Sequence, residues 1–439
     1  MHFSGVLHPF SLFTLKKNNI MSSVKFYLAM IAAALCLFSC NDADEAENAP
    51  AETKKLWGTT YSHTNLGAYP DLFSKYWVYA YDIKSNPNAG LRITGRYPQA
   101  RFFSFSVYND LRGEVIDGLD DVNITPDNGS ENPYRTTSKR TDNRFTIYLL
   151  KKGTDLSFFP GAREENVCYF TEDVACVSIC LRQYLGVDEF GGVELPLIEG
   201  VDLRTGQTIE APEPVVSKAT IMKEGNYEPL ESDSEMTVPF LLAPRGEYFP
   251  NNSTDYLYCR TRLERDQVLA FSFIPVPIPA TVEQYMGAKA RYWSICIGSV
   301  QNTRSYSSFY DRMLDAPEGK KITVVVASAN NPKLAQVKEF AKRIPYSYVL
   351  EWDETKLDNH GNAIGNIITI MYRNILPDKS WEYSIKNMTP TAYGNPYSNV
   401  TDPSTQVASV ALGDYGPLGK KYSTDDFLTP GIVVGSQQK

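Results

Sequence analysis

Histidine is nearly missing from this chain. It has four in 439 residues, and only His63 and His360 lie beyond residue 39. Neither has a Cys, Asp or His at a metal-motif spacing, which argues against a histidine-rich zinc site and against any mechanism that needs several imidazoles. Cysteine is scarce as well, with seven in the chain, too few for a disulfide framework in a body of this size. Gly-x-Ser-x-Gly, glycine-rich phosphate loops and His-Glu-x-x-His do not occur, so the usual signatures of hydrolases, nucleotide binders and metalloproteases are lacking. Basic runs are lacking too. Lysine and arginine number 43 against 51 aspartates and glutamates, and phosphate backbones require a basic surface, so nucleic acid is disfavoured as a partner.

One apolar run is present, from about Phe26 behind Lys25 to Leu37-Phe38-Ser39-Cys40. It is short for a membrane span, follows a single basic residue, and ends in a small residue before a cysteine. This layout resembles a bacterial lipoprotein signal that begins at Met21, with Cys40 as the acylated first residue of the mature chain. Residues 1–39 are then the signal region, and membrane lipid becomes a partner through the acyl chains on Cys40. At about 0.8 kcal/mol per buried CH₂, several chains anchor stably where one is marginal. Residues 40–60 read as an acidic tether: Asn41 to Pro50 holds four acids and no aromatic or β-branched residue, so it cannot build a core. An acidic tract placed there resembles the surface-export signal of Bacteroidetes lipoproteins, which implies an outer-membrane protein facing the cell surface. Loss of residues 1–39 leaves 40 basic against 51 acidic side chains, a formal charge of −11.

Beyond the tether the composition is that of strands. Tyrosine is frequent, at 28 residues, and with Phe, Val, Ile and Thr it falls in short alternating runs between Gly, Pro, Asn and Asp. Runs at residues 76–81, 90–95, 101–108, 144–149, 268–273, 292–297 and 321–326 predict a mainly β fold, two antiparallel β-sandwich-like domains with a few short helices. The best helix spans 333–343, opened by Pro332. A Pro-rich, acidic stretch over 208–237 reads as a connector between domains at 61–207 and 238–439. The cysteines left for the mature body, Cys168, Cys176, Cys180, Cys259 and Cys296, are odd in number and read as buried small hydrophobes.

The two halves rhyme: Arg101-Phe102-Phe103-Ser104-Phe105 against Arg291-Tyr292-Trp293-Ser294-Ile295, as a distant duplication would produce. Tyr76-Trp77, the run Gly95 to Tyr108, Asp120 to Asp127, Asn132-Pro133-Tyr134, Tyr372 to Pro377 and Gly413 to Pro417 together resemble a family of uncharacterised bacterial envelope proteins. The likeness extends from about Tyr69 to Phe427 and implies a β-rich body with recurring arginine and aromatic positions. It brings no reaction or ligand with it.

The sharpest candidate for ligand binding is the set Arg96, Arg101, Tyr108, Arg291, Tyr292 and Trp293. Guanidinium forks suit carboxylate or sulfate, and aromatic faces stack on sugar rings, so the set points to an extracellular glycan. Asp117, Asp120, Asp121 and Asp127 are the carboxylates nearest to a calcium site. Glu114, Asp117, Asp311 and Asp414 are nominal acids for the competing reading, a glycan-active hydrolase or lyase. A third reading is a structural or protein-partner subunit of an envelope complex.

Overall fold

The runs of alternating aromatic and aliphatic residues form strands because period two turns every second side chain to one face. A computed structural model of the chain describes residues 57–58, 60–136, 143–218, 236–243, 249–358, 361–388 and 407–432. Cys40 and its signal, nearly all of the acidic tether, His360 and most of the 208–237 connector lie outside the described residues. Among the described residues no helix is long and apolar enough to cross a membrane.

The protein is mainly β with a few short helices. The first set of strands is β1 Ser74–Asp82, β2 Ala89–Arg96, β3 Phe102–Asn109, β4 Glu114–Asp120, β5 Arg144–Lys151, β6 Val167–Phe170, β7 Cys176–Tyr184, β8 Leu197–Asp202 and β9 Thr208–Ile209. The second set is β10 Thr237–Pro239, β11 Leu241–Leu242, β12 Thr254–Arg262, β13 Gln267–Phe273, β14 Tyr292–Ser299, β15 Ser305–Tyr310, β16 Ile322–Ser328, β17 Ser347–Trp352, β18 Ile367–Ile375 and β19 Leu418–Ser423. The expected helix is α1, Leu334–Ala341. Four sheets result, with strand orders β1-β7-β3-β4, β6-β5-β2-β8-β9, β11-β12-β18-β14-β15 and β10-β19-β13-β16-β17.

The first two sheets enclose one core, with Trp77, Tyr79 and Tyr81 of β1 and Phe103, Phe105 and Val107 of β3 facing Leu91, Ile93, Phe145 and Ile147. The other two enclose a second core around Trp293, Ile295, Phe271, Val324 and Ile370. The alternate residues of β3, β7 and β14 do not face water, for these strands are buried along their whole length. Their outer faces meet each other, where Phe102 and Tyr184 of the first half join Tyr292 and Ile375 of the second. The sheets therefore stack as four layers, and α1 with Phe427 covers the outer face of the last. All of this belongs to one compact unit, Thr53–Lys439.

Chain order and pairing repeat. Strands β1 to β8 recur as β12 to β19 with the same pairings among themselves, and only the added edge strands β9, β10 and β11 differ. The register of β1 on β7, from Ser74↔Tyr184 to Asp82↔Cys176, recurs in β12 on β18 from Thr254↔Ile375 to Arg262↔Ile367. The bulge between Val107 and Tyr108 on β3 recurs between Ile297 and Gly298 on β14. Within each repeat one pair departs from the expected antiparallel pattern: β5–β6 and β16–β17 are parallel. A parallel pair needs a long crossover, which α1 and its flanks supply in the second repeat and short 3₁₀ turns supply in the first. Two edges of the expected organisation are also occupied: Trp57, placed in the tether, is fully buried and donates from its indole to Pro196 O at 2.6 Å, and residues at the start of the connector form β9.

Candidate functional site

The sequence singled out Arg101 and Arg291, and the fold places them at equivalent points, each immediately before the first residue of its strand, Phe102 of β3 and Tyr292 of β14. They lie in the seam between the repeats, 7% and 2% exposed. Arg101 donates from Nε and Nη2 to the backbone oxygen of Arg291 at 3.1 and 2.9 Å, and Nη2 lies 3.7 Å from Asp311 Oδ2. Arg291 Nη1 lies 3.2 Å from Asp121 Oδ2, and its guanidinium covers the ring of Tyr285 at 3.6 Å. Asp121 also accepts the Phe103 N–H at 3.1 Å, as Asp311 accepts the Trp293 N–H at 3.2 Å. Thus each repeat lends an arginine to the acid of the other, and each acid holds the start of its own aromatic strand. Burial pushes the Asp121 carboxyl up to about 7 against the pull of Arg291, and that of Asp311 to about 6 against the pull of Arg101.

A second reciprocal pair was not anticipated. Arg182 on β7 and Arg373 on β18 occupy equivalent register positions. Each reaches across the seam to a backbone oxygen in the arm that leads into the other repeat: Arg182 Nη2 to Phe249 O at 2.7 Å, Arg373 Nη2 to Tyr69 O at 2.8 Å. Both accepting residues have positive φ, 53° and 51°, a conformation that costs energy in a non-glycine residue and aims the carbonyl at the arginine. The arms exchange: Tyr69 N donates to Thr303 O, and its ring lies against Gly298, where a β-carbon would meet it at 2.6 Å. In return Tyr108 donates to Pro250 O at 2.8 Å and Ser253 donates to Asp120.

The symmetry breaks at one point. Asp71, fully buried, accepts from Phe73 N, Tyr292 OH and Ser294 OH at 2.9, 3.0 and 2.6 Å, and its Oδ2 is 2.7 Å from Arg373 Nη1. Its counterpart is Asn251, whose Oδ1 accepts the Ser253 N–H at 3.1 Å. The cation Arg182 is instead set over the rings of Tyr76 and Tyr108, at 5.7 and 5.5 Å. The sequence did contain a signal for this set. Leu181-Arg182-Gln183-Tyr184-Leu185 matches Tyr372-Arg373-Asn374-Ile375-Leu376, and Tyr69-Pro70-Asp71 matches Phe249-Pro250-Asn251. A lone arginine near the end of a mostly apolar strand recurs in both copies.

Of the six candidate ligand residues, the seam encloses Arg101, Tyr108, Arg291 and Tyr292, while Trp293 turns into the second core. Their fixed partners and burial close them to an extracellular polymer in this conformation. Arg96 alone is exposed; it lies apart at the end of β2, beside Pro98, Phe190 and Glu194. The calcium candidates do not converge: Asp117 accepts the Tyr169 N–H, Asp120 the Ser253 hydroxyl, Asp121 faces Arg291, and Asp127 accepts from Thr146. Among the described residues no group of three or more His, Cys, Asp or Glu is placed to hold a metal ion. The nominal hydrolase acids are likewise dispersed, Glu114 near Arg112, Asp311 in the seam and Asp414 paired with Lys321 at 2.9 Å. The five cysteines of the body are free and buried, and burial raises their thiols, that of Cys176 to about 12. His63 lies on the exchanged arm, and burial lowers its pKa.

No protein-family model matches this chain, and no curated protein matches it. Among solved structures it is similar to an uncharacterized protein from Burkholderia cenocepacia, at 12% identity over 94% of this chain and 92% of the other, with a TM-score of 0.46. It is also similar to a protein from Vibrio parahaemolyticus, at 9% identity over 73% of this chain and 88% of the other, with a TM-score of 0.36.

Proposed function

We propose that this is a lipid-anchored envelope protein, held in the outer membrane through acylated Cys40, whose duplicated β body binds an extracellular ligand at the cell surface. The observation that carries the reading is the run from Lys25 to Cys40 with the acidic tract behind it. A packed β body suits capture at a surface, since a preorganised body loses little freedom on binding. Binding ranks ahead of glycan hydrolysis because the nominal acids Glu114, Asp117, Asp311 and Asp414 are committed to separate partners. The likeness to uncharacterised envelope proteins accords with this address.

Cells expressing the full chain, fed an alkyne fatty acid, test the anchor. Label should enter the wild-type protein and vanish with Cys40→Ala, and external protease should remove the labelled protein from intact cells. An unlabelled wild-type chain, or label that persists in Cys40→Ala, refutes the anchor; protection from external protease refutes the surface address.

A further inference from the structure

The internal repeat allows a subtraction. Features that both copies carry, such as the arginine clamps and exchanged arms, maintain the fold; surface features that one copy carries alone are where a task beyond folding can lie. The largest such difference lies between the last two strands of each repeat. Leu185 to Pro196 joins β7 to β8, whereas Leu376 to Pro417 joins β18 to β19. The longer connection brings together Trp381, Tyr383 and Tyr415. The rings of Tyr383 and Tyr415 stack at 4.5 Å and 18°, and Trp381 stands edge-on to both, 5.1 Å from Tyr415 and 5.9 Å from Tyr383.

All three rings are partly exposed. Trp381 and Tyr415 rest against the second core, and Tyr383 forms the outer layer above them. The support is built: Asn387 Nδ2 donates to Trp381 O at 2.7 Å, Ser384 N donates to the same oxygen at 3.0 Å, and Asp378 accepts Ser380 at 2.7 Å. Exposed Glu382 sits between Trp381 and Tyr383 in the chain, and Asp414, next to Tyr415, pairs with Lys321 at 2.9 Å, the two partners 58% and 43% exposed. An aromatic face whose chain neighbours Glu382 and Asp414 carry hydrogen-bonding groups suits the flat C–H face and hydroxyl rim of a pyranose. Glu382 and Asp414, on a chain whose residues 40–439 carry a formal charge of −11, repel a polyanion, and the forks of Arg101 and Arg291, which would suit uronate or sulfate, are consumed in the seam while Arg96 lies apart at the end of β2.

We propose that the stack of Trp381, Tyr383 and Tyr415 is a binding site for a neutral glycan, with a sugar ring seated on Tyr383 and its hydroxyls reaching Glu382 and the Lys321–Asp414 pair. The proposal rests on the extracellular-ligand reading above and names its ligand class.

Native gel electrophoresis of the full acylated chain in detergent, through gels cast with mannan, arabinoxylan, mixed-linkage glucan or, as the acidic counterpart, polygalacturonate, tests it. The wild type should be retarded by at least one neutral polymer. Tyr383→Ala should weaken that retardation roughly tenfold, a stacking contact's share of affinity, while Tyr383→Phe retains most of it. Thermal melts should leave both variants near the wild type, because Tyr383 lies outside the core. Retardation by no neutral polymer, retardation by polygalacturonate alone, or full retardation of Tyr383→Ala overturns the site. Fatty-acid label read on the same preparation separates the two proposals: an acylated chain that ignores every neutral polymer loses this site but keeps its anchor, and an unacylated chain that is retarded does the reverse.

Discussion

Replacing Asp71 with asparagine would make one arm of the seam chemically the same as the other, because Asn251 already holds the equivalent place. The two arms start from different positions. Asp71 serves three protein donors and sits 2.7 Å from Arg373 Nη1, both side chains being almost wholly excluded from water. Asparagine keeps an oxygen for the Phe73 N–H, and the Tyr292 and Ser294 hydroxyls can turn to accept from its amide. It cannot neutralise Arg373. Breaking a buried ion pair from one side costs about 3 to 5 kcal/mol; Arg373 still has Tyr69 O and the Tyr256 ring at 5.8 Å, so the lower end, about 3 kcal/mol, applies to Asp71→Asn. Asn251→Ala removes one acceptor and no charge partner, and should cost about 1 to 2 kcal/mol. Asp71→Asn combined with Arg373→Met takes away the orphaned cation and should recover about 1 to 2 kcal/mol relative to the sum of the single variants. Urea titrations of the purified protein, followed by tryptophan fluorescence at neutral pH, measure all four. Asp71→Asn costing no more than Asn251→Ala, or strict additivity in the double variant, would refute the argument that the ion pair distinguishes the arms.

Two further outcomes follow from burial. Asp121 and Asp311, raised to about 7 and about 6 from 3.8, keep protons in the folded state that the unfolded chain releases. Their contribution to stability is therefore fully present below about pH 4 and is lost as the pH rises through 6 to 7. For Asp121 the full span amounts to roughly 4 kcal/mol. The urea midpoint of the wild type should fall relative to Asp121→Asn/Asp311→Asn across this window, and a difference that is flat or grows with pH contradicts the assignment. Iodoacetamide should leave Cys168, Cys176, Cys180, Cys259 and Cys296 unmodified in the native protein and alkylate all five in denaturant; a thiol that reacts within minutes in the native state would show that its strand opens.

The mainly β fold, the strands β1, β2, β3, β5, β13, β14 and β16, and α1 were legible because each is a local property; β7 and β18, which carry Arg182 and Arg373, were not singled out. Alternation in Tyr76–Tyr81 or Arg101–Tyr108 sets a strand whatever lies opposite, and the rhyme between Arg101–Phe105 and Arg291–Ile295 reported a real structural equivalence. The use of those arginines was not legible. Arg101, Tyr108 and Arg291 look like ligand contacts because a guanidinium fork suits a ligand carboxylate and an aromatic face suits a sugar ring, yet the same groups serve equally to pair one strand with another. The same pattern arises when a second sheet covers their face and supplies the missing partners, and no local feature distinguishes the two.

The sequence by itself determined the mainly β class, seven of the strands and the helix α1, since period and turn chemistry act between near neighbours. Only the tertiary structure decided that the outer faces of two sheets close on each other. Arg291 meets Asp121 170 residues away, and Arg101 meets the Arg291 carbonyl 190 residues away. Such pairings depend on how two complete repeats dock. A buried charge tolerates that separation in sequence because the cost of leaving it unpaired in a low-dielectric seam exceeds the cost of ordering the two arms that bring its partner.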